Sequence, residues 1–206
     1  MILKGLPPII DARARVLILG SFPSTASLAA QQYYAHPQNQ FWRILGAVLG
    51  QPLQEMDYAA RIAAVQAAGI AIWDVFASCS RDGSLDTAIR DAIPNPLAAL
   101  QEFPKGRTAL APALRRICFN GGMAARRIRE VEALGFEALV LPSTSPANAT
   151  WSFERKLVAW RAALLSGSTQ GSSSPGSGGI SGLAASQISN WRNDLQPKAP
   201  AVSLSR

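Results

Sequence analysis

Short apolar runs alternate along this chain with longer stretches in which apolar side chains recur every three or four positions. Residues 15–20 (RVLILG) are continuously apolar after the first position and end on glycine, the form of a strand buried on both faces. Residues 69–77 (GIAIWDVFA), 116–120 (RICFN) and 137–141 (EALVL) repeat that form. Phe41, Ile44, Leu45 and Val48 fall at helical spacing, and Gly50 with Pro52 stops the pattern, which predicts a helix over 39–49. A second helix is predicted over 58–68, where Ile62 and Val65 share one side and Gly69 stands at the end. A polar loop is expected at 78–84, and short helical pieces at 85–92 and 97–103, the latter confined by Pro94, Pro96, Pro104 and Pro112. Gly121 and Gly122 turn the chain into an arginine-rich helix over 123–134, and Phe153, Leu157, Trp160 and Leu164 mark one face of a last helix. Strands alternating with helices argue an α/β fold: a central parallel four-stranded sheet with helices on both faces.

Length changes the picture only at the end of the chain. Of the 206 residues, 166–182 are almost wholly serine and glycine, and 180–206 hold Trp191 among polar residues without a period. Such a segment buries too little apolar surface to offset its ordering entropy, so one domain is expected over 1–165, with a disordered tail over 166–206. No apolar run approaches the roughly 20 residues of a membrane span, and no leader pattern opens the chain, so a cytoplasmic, membrane-free protein is expected. Cys79 and Cys118 are too few for a disulfide framework or a thiolate metal site, and no metal is expected. The net charge of +7, mostly arginine, suits a polyanionic partner gripped by bidentate contacts.

In an open parallel sheet, ligands bind beyond the carboxyl ends of the strands. Four polar stretches fall there: 20–27, 73–82, 120–122 and 142–148. Each has a plain alternative when taken singly. Asn39 can cap its helix, Asn120 can satisfy a loop, and PSTSP can be an ordinary turn. His36 before Pro37 is more often a hydrogen-bonded loop residue than a proton carrier. Asp74 and Asp86 lie on different elements and prove nothing as a pair; Asp74 is expected to anchor the loop that follows it.

The segments GSFPS (20–24), YYAHPQNQFW (33–42), IAIWDVFASCSRDGSLDTAIR (70–90), ICFNGGMA (117–124) and LPSTSPANA (141–149) occur in order. Together they resemble the uracil-DNA glycosylase superfamily, and most closely its hypoxanthine (deoxyinosine) DNA glycosylase family, over about residues 15–165. A related branch, the mismatch-specific uracil and thymine DNA glycosylases, shares a similar asparagine followed by Phe-Trp. The resemblance implies that superfamily's three-layer sandwich and a monomeric enzyme without cofactor. Its partner would be double-stranded DNA containing a deaminated base, met at the bacterial nucleoid, with hypoxanthine the expected base. Asn39 matches the catalytic asparagine, which holds a water against C1′. Phe22, Tyr34 and Asn120 would contact the extruded base, and Gly20, Ser21, Pro23 and His36 would complete the pocket. Ser143, Thr144, Ser145, Pro146 and Asn148 match the second motif, which grips phosphates and supplies the wedge, with Arg155, Lys156 and Arg161 adding unspecific affinity.

Two departures bear on the substrate. Phe22 stands where other branches place a water-activating aspartate or asparagine, so that task passes to Asn39. Leu141 or a small neighbour stands where efficient uracil enzymes have a histidine, which argues for a base that leaves easily or is helped by protonation of an imidazole ring. A uracil or mismatch uracil glycosylase, and a non-catalytic DNA-binding relative, are the alternatives that follow.

Overall fold

The computed structural model describes residues 2–101 and 109–165. In chain order the elements are β1 (Ile2–Lys4), β2 (Val16–Gly20), α1 (Thr25–Ala30), α2 (Phe41–Leu49), α3 (Tyr58–Ala67), β3 (Ile70–Asp74), β4 (Phe76–Ser80), β5 (Arg90–Pro94), β6 (Arg116–Asn120), α4 (Ile128–Ala133), β7 (Glu137–Leu141) and α5 (Phe153–Leu165). The four apolar runs become one parallel sheet in the order β3-β2-β6-β7. Every residue of β3 and β6 is buried, as continuous apolar runs require when both faces are covered.

Alternation within the strands divides the core in two. Ile18, Ile72 and Cys118 face α2, α3 and α5, meeting Phe41, Leu45, Val65 and Trp160. Leu17, Leu19, Trp73 and Phe119 face the other way, against Leu97, Leu100, Val131 and Phe136. Each of these large side chains, once buried, contributes on the order of 1.5–3 kcal/mol. α2 is helical because its apolar positions make a stripe for the sheet, and Gly50, in the left-handed region at φ 66°, closes it with a bond to Gly46 O. α3 begins where the Asp57 carboxylate accepts from Ala60 N at 2.8 Å.

Several boundaries depart from expectation. The run 69–77 is two strands: β3 ends at Asp74, Val75 N–H donates to Gly20 O, and Phe76–Ser80 enters a second, antiparallel sheet of order β1-β4-β5. The polar loop therefore starts after Ser80. The helical piece at 85–92 is one 3-10 turn, Asp86–Ala88, followed by β5 on the edge of that small sheet. There Pro94 needs no ladder partner for its missing N–H. The helix at 123–134 is a 3-10 turn (Ala124–Arg127) running into α4, and that at 97–103 is a 3-10 turn (Leu97–Leu100). Phe103 and the tail 166–206 lie outside the described residues. No helix among the described residues is long and apolar enough to cross a membrane.

Candidate active site

The strand order places a topological switch between β2, whose chain leaves toward β3, and β6, whose chain leaves toward β7. Beyond the carboxyl ends of these strands lies a cavity of about 350 Å³. Gly20 to Ser24 follow β2, Asp74 ends β3, Asn120 ends β6, and Ser143 to Ser145 follow β7; all of them line it. Tyr34 and Asn39 reach it from the loop before α2, and Ser84 to Thr87 from the segment after β4.

The floor is built by close approach. A Cβ at Gly20 would stand 2.4 Å from Asp74 Oδ1 and 3.1 Å from the Tyr34 hydroxyl, and one at Gly121 would stand 2.9 Å from Ser143 Cβ. Glycine is therefore required at both positions. Phe22 is buried in the wall, with the Arg81 guanidinium 5.2 Å from its ring centre. Arg81 also donates to Pro23 O, fastening the segment after β4 to the turn after β2. Tyr34 adopts a left-handed φ of 55° and stacks on Phe41 with ring centres 3.7 Å apart, so one ring face is already covered.

The two asparagines are partly committed. Asn120 donates through Nδ2 to Thr144 Oγ1 at 3.0 Å and accepts at Oδ1 from Thr144 N at 2.9 Å. Because a backbone nitrogen can only donate, the amide has one orientation, leaving one N–H and one lone pair unspent. Asn39, one residue ahead of the N-cap Gln40, accepts at Oδ1 from Phe41 N at 3.0 Å, which satisfies the first N–H of α2 and leaves its NH2 and its second lone pair. Nearby, Gln40 N–H donates to Thr144 O at 3.0 Å and joins the first loop to the second. Ser143 Oγ accepts from Ser145 N, and Ser145 Oγ from Ala147 N, so both hydroxyl protons remain to be donated.

Two carboxyls share the cavity wall. Asp86 accepts from the Ser21 hydroxyl at 2.6 Å, and burial still raises its pKa. Asp74 is 3% exposed and its Oδ2 has no partner. Burial, and then the negative charge of Asp86, push its pKa up to about 8 against the opposing pull of Arg81. The Tyr34 hydroxyl is near enough to Asn120 to feel its dipole but makes no hydrogen bond of normal geometry. Burial keeps that phenol in its neutral form.

The described family of uracil DNA glycosylases, the Uracil DNA glycosylase superfamily, matches residues 7–164. The chain belongs to the uracil-DNA glycosylase superfamily. It is 40% identical over 156 residues to a protein of Methanosarcina acetivorans named Hypoxanthine DNA glycosylase, covering 76% of this chain and 94% of that one. A protein of the same name from Methanosarcina barkeri is 39% identical over 145 residues, covering 70% and 87%. The solution NMR structure of a candidate uracil DNA glycosylase from Methanosarcina acetivorans superposes with a TM-score of 0.70 at 40% identity, covering 80% of this chain and 97% of that one.

Of the superfamily site residues expected here, Gly20, Ser21, Phe22, Pro23, Tyr34, Asn39, Asn120, Ser143, Thr144, Ser145 and Asn148 line the one cavity. His36 does not: its Nδ1 accepts from Gln38 N at 3.2 Å and its carbonyl from Asn39 N, so it shapes the turn that presents Asn39. Pro146 is exposed on the second loop outside the cavity. Thr144 is fully buried with its side chain on Asn120, behind the surface a phosphate would reach. Lys156 is no surface charge: it is 2% exposed, and Nζ donates to Gln40 Oε1 and Asn148 O, both at 3.0 Å. The Asp74 side chain does not anchor the loop that follows it; its backbone carbonyl instead accepts from Asn95 Nδ2 at 2.8 Å, beyond the end of β5. Asp86, which spacing alone could not join to Asp74, lines the same cavity, and so does Leu85, a residue the sequence did not single out, 60% exposed on the rim. The polar ending of a buried strand, Trp73-Asp74, was the signal that could have found the acidic wall.

Proposed function

We propose that the chain is a monofunctional DNA glycosylase that hydrolyses the bond between hypoxanthine and deoxyribose in deoxyinosine, leaving an abasic site. Likeness over nearly the whole length of two relatives named Hypoxanthine DNA glycosylase carries the reading. The cavity supports it, because a bond hidden in the base stack is reached only by extruding the nucleotide into a pocket. The Tyr34 face not covered by Phe41 stacks on the base, worth roughly 1–3 kcal/mol. Asn120 offers its remaining N–H and lone pair to the lactam edge. Asn39 holds the attacking water with the lone pair that Phe41 leaves free. An amide is a feeble base, but positioning and electrostatics suffice when the sugar departs as an oxocarbenium-like species. Ser143 and Ser145 donate to phosphates flanking the lesion, and Leu85 enters the gap in the stack.

The test is base release from a duplex containing one inosine, read as strand scission at the abasic site. Asn39→Ala is expected to slow release by about 10²-fold or more while duplex binding survives. Undiminished turnover in that variant would sink the assignment. The name of the solved relative favours uracil as a second reading. Uracil and inosine duplexes assayed side by side decide between them, with inosine expected to be the faster substrate.

A further inference from the structure

We propose that Asp74 is a catalytic acid: its carboxylic O–H, unspent within the protein and lining the cavity, donates to the imidazole ring of the extruded purine as the glycosidic bond breaks. The inference rests on the hypoxanthine reading and adds the source of the proton.

Three observations of place carry it. Asp74 ends β3 beside Gly20, whose missing side chain lets the carboxyl lie against the turn after β2. It is 97% withdrawn from solvent, and Oδ2 finds no donor or acceptor, a costly condition for a polar atom unless a ligand completes it. Asp86 lines the same cavity and holds the negative charge, supported by the Ser21 hydroxyl and by Arg81. Two carboxyls in one water-poor wall do not both ionise readily; the one without a donor keeps the proton. Asp74, with a pKa of about 8, therefore enters the reaction as a neutral acid at physiological pH. The groups facing it are Asp86 and Arg81 from the segment after β4, and Tyr33 and Tyr34 from the loop before α2. Burial holds both phenols neutral, so the titration of Asp74 is set by its own burial first, then by Asp86, against the pull of Arg81.

The step balances without any further reagent. As C1′–N9 breaks, its electron pair goes to the base and the Asp74 proton goes to N7, so hypoxanthine leaves neutral. The water on Asn39 bonds to C1′ and releases its proton to solvent, from which the Asp74 carboxylate is reprotonated. Uracil has no imidazole nitrogen to accept this proton, so the same acid sorts purine from pyrimidine.

Single-turnover release from an inosine duplex, measured with the full chain from about pH 6 to about pH 10, tests the inference. The wild-type rate is expected to be level at low pH and to fall tenfold per unit above about 8, the pKa of Asp74. Asp74→Asn is expected to lose roughly 10²-fold or more in rate and to lack the alkaline fall. Asp86→Asn keeps an acceptor for Ser21 but removes the charge that raises Asp74, so the fall should move to lower pH. Asp74→Asn with undiminished rate and an unchanged alkaline fall would overturn the proposal. So would an Asp86→Asn profile superimposable on the wild type, and this second variant decides the matter if the first does not fold. A wild-type chain that releases no hypoxanthine at any pH would instead overturn the function on which the inference rests.

Discussion

On the proposed reading Asn39 performs two tasks with one carbonyl oxygen, and the two are separable by measurement. Its bond to Phe41 N–H, made from the residue ahead of the N-cap Gln40, satisfies the first N–H of α2 and is worth about 1 kcal/mol when removed by alanine. That loss is small beside the stability of an ordinary domain, so Asn39→Ala should remain folded, and its lost activity reports the water. A side chain that satisfies the first N–H of a helix and one that holds a water ask for the same residue type in the same stretch, so helical spacing alone could not tell them apart. Asp74 was illegible for a different reason: its partner stands twelve positions away on another element, and only the crossing of the chain into the second sheet brings Asp86 to the same wall. Its titration also leaves a mark on stability. Folded, Asp74 keeps its proton to about pH 8, whereas its ordinary value is 3.8. Between those values only the folded state binds that proton, so the contribution, full below 3.8, is lost as pH rises through 8. Chemical denaturation at about pH 5 and about pH 9 should therefore show wild type losing more stability than Asp74→Asn over that interval. Equal losses in the two proteins would mean an ionised carboxyl throughout.

At the scale of elements, the second loop is a held structure. Gln40 N–H fixes Thr144, Thr144 fixes Asn120, and the buried ammonium of Lys156 draws Gln40 and Asn148 together across 116 and 8 positions of chain. Burial lowers the Lys156 pKa, and no carboxylate among the described residues pairs with it, so its place is justified by the two acceptors. Lys156→Met should cost about 1–3 kcal/mol of stability by stranding those acceptors, and should weaken duplex binding by a factor independent of salt. Arg155, exposed over the Trp151 ring at 4.4 Å, should behave oppositely. Arg155→Ala should leave stability nearly intact and reduce the slope of log affinity against log salt by about 1. Titration in a salt series checks both, and a salt slope altered by Lys156→Met would refute its internal role. Composition counts both residues as charges, because burial depends on which face of α5 meets α2. The parallel strands were legible, since continuous apolar runs announce two covered faces. β4 and β5 were not: Phe76–Ser80 is half polar, and Arg90–Pro94 is mostly exposed on a sheet edge, so neither carries an apolar signature.

The whole molecule joins a basic surface to a site with two acidic groups, and the two do not conflict because the carboxyls are withdrawn into the wall while the net charge of +7 is spread over the chain. The family match covers residues 7–164, and the described residues within 1–165 build both apolar clusters and line the cavity. We propose that this span is the complete catalytic unit. What lies beyond it adds Arg192, Lys198 and Arg206 against a single acidic residue, Asp194, and hence only a modest attraction to phosphate. Removing 166–206 should therefore leave the cooperative unfolding transition and the single-turnover rate at saturating protein unchanged within about twofold, because catalysis depends on groups already assembled in the cavity. Affinity for undamaged duplex at low salt should fall slightly, and the difference should vanish as salt rises, since counterion release is the only contribution withdrawn. A shortened chain that binds the inosine duplex but releases base much more slowly would instead place part of 166–206 in the catalytic unit, and one that unfolds without cooperativity would place it in the core.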